Sequence, residues 1–106
     1  MDAFEVDELL AVRAAAGEPY HEFLRVPALS AGVYVLPAGG DDPQRPHAED
    51  EVYVVLSGEA AISVAGRRRP VRAGSVVFVA AGVPHRFHDI RRELAVLVLF
   101  APAESA

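Results

Sequence analysis

From Tyr20 to Ala101 the chain is a succession of short runs rich in β-branched, leucine and aromatic residues, nearly all cut off by glycine, proline or aspartate. The runs are HEFLRV, AGVYVLPA, EVYVVLS, AAISVA, SVVFVA, HRFHDI and ELAVLVLFA. Such side chains fit a pleated, half-buried surface, and the closely spaced turn residues end most runs before they reach helical length. The pattern restricts the chain to an all-β sandwich or barrel, expected over about residues 20–102. Helical spacing occurs only ahead of it. The segment DAFEVDELLAVRAAAG predicts a short N-terminal helix over about residues 3–16, with Asp2 or Asp7 as N-cap, Leu9, Leu10 and Val12 as apolar positions and Gly17 as its stop.

Composition narrows what such a barrel can do. A chain of 106 residues fits one domain, and 52% hydrophobic against 24% charged residues is a globular balance. No stretch approaches the roughly 18 apolar residues of a membrane span, and the first residues lack the basic start and apolar centre of a signal peptide, so a cytoplasmic location is expected. A net charge of −5 argues against nucleic acid as a partner. With no cysteine, any transition metal must be held by imidazole and carboxylate.

Residues 37–46, PAGGDDPQRP, read as a loop that runs directly into His47. If the chain beyond it is extended, His47 and Glu51 share a face, and the same alternation turns Tyr53 and Val55 inward. Val52, Val54 and Leu56 then point the other way, so both faces of this strand are apolar and both need cover. A second segment, GSVVFVAAGVPHRFHD, places His85 at the head of another strand, with Phe87 inward and His88 outward. His21 lies far from both segments. The three arginines of AGRRRPV stand beside a glycine and read as a solvated turn, with an anion-binding surface as the alternative.

These two segments resemble the paired motifs of the cupin superfamily. In its first motif, G-x5-H-x-H-x3-E-x6-G, the second His, the Glu and the closing Gly are matched by His47, Glu51 and Gly58; in its second, G-x5-P-x-G-x2-H-x3-N, Gly74, Gly82 and His85 match. Ala80 stands where the motif has Pro, and Asp89 where it has Asn. The resemblance implies a small bacterial cupin, a double-stranded β-helix or jelly-roll barrel, with a divalent metal at its mouth held by His47, Glu51 and His85. It also implies a compact organic ligand in the barrel, oxygenase- or isomerase-like chemistry, and a homodimer; two-sided apolar strands such as AVLVLFA point to the same association.

The family's usual site has a further histidine, and that position is Arg45 here. The remaining set of two imidazoles and a carboxylate suits Fe(II), and Mn, Ni, Zn or Cu are chemically admissible. Gln44 has an oxygen to offer in place of the missing histidine, against the parity of a regular strand. Arg45 has the right parity, yet a dication about 4 Å from a guanidinium would feel roughly 8 kcal/mol of repulsion. Three arrangements are open: Arg45 turns to solvent, an anion lies between it and the metal, or Arg45 pairs with Glu51 in a metal-free barrel acting as a binding or structural module. Tyr53 and Phe87 are expected to line the cavity, where the phenol is also a possible substrate contact.

Overall fold

The computed structural model describes residues 1–105 as one helix and six strands. Helix α1 spans Val6–Ala16, followed by β1 (Tyr20–Val26), β2 (Leu29–Leu36), β3 (Asp50–Val64), β4 (Arg67–Arg72), β5 (Val76–Val79) and β6 (His85–Ala101). All pairings are antiparallel, in the order β1-β2-β6-β3-β4, with β5 added to β3.

Two pairs of runs separate in the sequence are single long strands. EVYVVLS and AAISVA form β3, and HRFHDI and ELAVLVLFA form β6. The two strands pair along their length, from Asp50 opposite Ala101 to Val64 opposite His85, with register shifts between Val55 and Ala61. Those shifts let both strands bend at one level. Gly58 sits at the corner with φ +100, and a Cβ there would lie 2.8 Å from Leu94 Cα and closer still to the Glu93 carbonyl. Only glycine fits a left-handed backbone pressed against another chain segment. Past the corner β3 leaves β5 and pairs with β4.

The fold around these bent strands is a double-stranded β-helix whose core fills the space between its two walls. Tyr34, Tyr53, Val55, Ile62, Phe87, Leu94, Val96, Val98 and Phe100 are buried there. The alternation expected along β3 holds: Glu51, Tyr53 and Val55 are buried, while Val52, Val54 and Leu56 are half-buried. Strand β2 is buried on nearly every residue, because α1 lies over it and β1. Leu9 is the helix's buried anchor, and Gly17 (φ 70) ends it with its N–H donated to Ala14.

Three expectations need correction. The helix starts at Val6 behind Glu5, which makes no side-chain cap, so neither Asp2 nor Asp7 is the N-cap; Asp7 instead lies in the first turn, where a negative charge suits the helix dipole. The three arginines are not in a turn. Ala65 and Gly66 turn the chain, and Arg67–Arg69 lie on β4, an edge strand, where arginine charge and Pro70 discourage pairing with another sheet. Finally, β3 begins only at Asp50, so His47 stands on the preceding loop. Among the described residues no helix is long and apolar enough to cross a membrane.

Candidate metal centre

His47, Glu51 and His85 converge. Each offers a ligand atom within 4.8 Å of the others. Glu51 is the second residue of β3 and His85 the first of β6, and both are buried. His47 is brought alongside by the loop, whose path is fixed where Gly82 N–H donates to the His47 carbonyl at 2.7 Å.

The imidazoles are oriented from behind. Nδ1 of His85 is 2.9 Å from the Val83 carbonyl, which can only accept, so the proton sits on Nδ1 and the Nε2 lone pair faces the centre. His47 Nδ1 lies 3.2 Å from a Glu104 carboxylate oxygen, which favours the same tautomer, and its Nε2 also points inward. Metal-ligating histidines are held in this way, with the outer N–H given to a carbonyl or carboxylate.

Glu51 has the opposite problem. It is 1% exposed, and among the described residues nothing donates a hydrogen bond to either carboxylate oxygen. Its Oε1 comes within 3.0 Å of His85 Nε2 without hydrogen-bonding geometry, so the contact is one of proximity and charge. A buried carboxylate without donors is costly unless a cation compensates it. Burial works against a charged His85, but Glu51 and the Val83 carbonyl outweigh it, and the imidazole's pKa is raised. For Tyr53, burial first and then the Glu51 charge push the phenol well above its ordinary value, so it is a neutral donor.

Tyr53 and Phe87 are fully buried at the base of the site, with rings in edge contact 4.8 Å apart. The Tyr53 hydroxyl is 3.1 Å from His85 Nε2 and 3.1 Å from Gln44 Oε1. Gln44 therefore belongs to the cluster although strand parity pointed it away, and Arg45 is outside it, exposed and not paired with Glu51 among the described residues. The physical reason is local. Parity holds for regular strands, whereas residues 41–47 form an irregular loop with Pro43 and Pro46. Of the three arrangements left open for Arg45, the structure has the one in which it turns to solvent. His88 faces out as expected, bonded to Ser63 Oγ at 2.7 Å, and His21 is remote on β1.

Asp42 was not anticipated. It is buried in the loop, accepts the Tyr34 hydroxyl at 2.9 Å on one oxygen, and on the other accepts the Phe87 N–H at 2.8 Å and the Gln44 amide at 2.9 Å. Its partners Tyr34 and Phe87 stand on β2 and β6, so only the closed barrel reveals the role. A cavity of about 170 Å³ opens beside the cluster, lined mainly by Tyr20, Tyr34, Gln44, His47, Val98 and Phe100.

A double-stranded β-helix with imidazole and carboxylate groups gathered at one end is the architecture of the small cupins. The chain belongs to that family: residues 32–101 match the cupin domain. It is 54% identical to an uncharacterised protein of Streptomyces coelicolor over 99% of this chain and all of that one. Among solved structures, the TT1209 protein of Thermus thermophilus superposes with a TM-score of 0.78 at 21% identity, covering 97% of this chain and 99% of that one. The dimethylsulfoniopropionate (DMSP) lyase DddQ of Ruegeria pomeroyi has a TM-score of 0.70 at 28% identity over 83% of this chain, which spans 49% of the lyase chain.

Proposed function

We propose that this cupin binds one divalent transition metal on His47, Glu51 and His85 and presents it to a compact organic molecule in the adjoining cavity. The observation that carries this reading is a surplus of acceptors. A carboxylate with no donor and two imidazole lone pairs point into one small space, where Tyr53 offers the single hydroxyl proton that we find near them. Nitrogen and oxygen donors without thiolate suit Fe(II), Mn(II), Ni(II), Zn(II) or Cu(II). When bound, the ion would supply Lewis acidity, polarising a carbonyl or carboxylate oxygen placed on it.

The chain's own residues define the ligand's shape. Val98 and Phe100 give an apolar wall, and the cavity's small volume suits a compact molecule. The Tyr20 hydroxyl, buried without a hydrogen-bond partner among the described residues, would donate to an acceptor on that molecule. Burial, reinforced by Glu104, pushes this phenol's pKa up, which keeps the proton in place for donation.

Elemental analysis of protein purified without a metal-affinity tag tests the reading. Stoichiometric metal, lost in His85→Ala, is the expected outcome. No uptake after incubation with any of the five ions would leave the metal-free binding module. We also propose a homodimer through the outer face of β3, β5 and β6, where Val52, Val54, Leu97 and Leu99 are half-buried and Val76 and Phe78 are 63% and 61% exposed. Light scattering should report a dimer that Phe78→Asp splits; a monomeric wild type would refute it.

A further inference from the structure

Building on that metal reading, we infer that Gln44 supplies a fourth ligand through its amide oxygen, and that Asp42 is the positioning residue that decides which end of the amide faces the ion. The two ends of the Gln44 side chain meet different partners. Nε2 donates to Asp42 Oδ2 at 2.9 Å, and a carboxylate can only accept, so the amide cannot be reversed without setting two acceptors against each other. Oε1 is thereby turned inward, 3.1 Å from His47 Nε2 and 3.1 Å from the Tyr53 hydroxyl.

With the His47 proton on Nδ1 toward Glu104, Nε2 and Gln44 Oε1 confront each other lone pair to lone pair. A cation between the two removes that repulsion, as it does the one between Glu51 Oε1 and His85 Nε2 at 3.0 Å. The four donors are then two imidazole nitrogens, one carboxylate oxygen and one amide oxygen. A carbonyl-type oxygen is a harder ligand than imidazole, so the set leans toward ions that favour oxygen.

Asp42 is equipped to hold this orientation. It is buried, and the Tyr34 hydroxyl and Phe87 N–H lock it from β2 and β6. It shares Oδ2 between the Phe87 N–H and the Gln44 amide, so the strand that carries His85 and the loop that carries His47 are registered through one atom. Asparagine could keep its oxygen toward those two donors and turn its amide toward Tyr34. Alanine could do neither.

The test uses the full chain stripped with chelator and titrated with Co(II), whose visible absorption reports the number and type of ligands, and with Zn(II) by calorimetry. Gln44→Leu should weaken binding about tenfold or more and change the Co(II) spectrum. Asp42→Ala should weaken it by a factor of about 10 to 100, as for other groups that orient metal ligands. Asp42→Asn should retain most of the affinity. In Asp42→Ala combined with Gln44→Leu the loss should fall clearly short of the sum, because the part of Asp42's effect that orients Gln44 vanishes once Gln44 is gone. A wild-type spectrum and affinity in Gln44→Leu would overturn the inference while leaving the three-residue site standing. Additive losses would overturn the role of Asp42. If the wild type binds neither of these ions, nor Fe(II), Mn(II), Ni(II) or Cu(II) in the same titration, the metal reading itself fails and this one with it. Circular dichroism confirms that each variant is folded, and Asp42→Asn keeps the test decisive if Asp42→Ala is not.

Discussion

Glu51→Gln should change the stability of the metal-free protein with a sign that depends on pH, while weakening metal binding throughout. In metal-free protein the imidazole of His85 has a raised pKa because Glu51 and the Val83 carbonyl outweigh burial. A raised folded-state value means the protonated pair stabilises the fold fully below the ordinary imidazole value of about 6.5, and that the contribution disappears as pH rises through the folded value. The substitution abolishes this contribution, so near pH 5.5 the variant should be the less stable protein. At about pH 9 the balance reverses. Wild type then retains a carboxylate that is 1% exposed, has no hydrogen-bond donor, and lies 3.0 Å from a neutral Nε2 that is itself an acceptor. The new amide carries no charge and, after a small turn of its terminal torsion, donates to that nitrogen. Relieving a buried unsatisfied acceptor is worth about 2 kcal/mol, or roughly 10 °C in Tm for a domain of this length. Thermal unfolding in chelator across this pH range should therefore give two curves that cross. Zn(II) at about a hundred times its Kd should add about 2.7 kcal/mol to wild type and nothing to the variant. A variant less stable at both ends of the range, or one that zinc still stabilises, would refute the reasoning.

Gly58→Ala should destabilise the barrel by more than about 2 kcal/mol, since it combines a positive φ with a Cβ driven into the Glu93 carbonyl; urea unfolding measures it, and a loss under about 1 kcal/mol would mean the corner is looser than described. Asp89, at φ 49, has its pKa lowered mainly by its bond to His88, with Arg68 contributing, so its stabilising effect is present above the ordinary carboxylate range and is lost as pH falls through the lowered value. Asp89→Asn keeps a residue that tolerates positive φ and removes that charge, so the stabilities of wild type and variant should begin to approach as pH falls below about 4 and meet once it has passed the lowered value. A constant gap across the acid range would count against the ion pairs.

The all-β architecture was legible because valine-rich alternation is a local signal, and His47, Glu51 and His85 were legible because motif spacing survives whatever joins the segments. Arg45 and Gln44 were assigned by an alternation that does not apply to them: in a loop flanked by Pro43 and Pro46, orientation is set by the partners each side chain finds. Gln44 finds Asp42, and Arg45 is left exposed. Asp42 left no trace in the sequence because its partner Phe87 is remote in the chain. Strand β4 was missed for a related reason. Three arginines and Pro70 are poor strand formers, and the antiparallel partner β3 overrides that preference.

The pairing of β3 with β6 has a kinetic consequence. The ends of the two strands meet across everything encoded between them, Val64 with His85 over β4 and β5, and Asp50 with Ala101 over nearly half the molecule. No hairpin local in the chain brings His47 and Glu51 together with His85. Assembly must wait for distant segments to find one another, which places this small domain among slow folders, on the millisecond-to-second scale, and makes the competent pocket a late arrival.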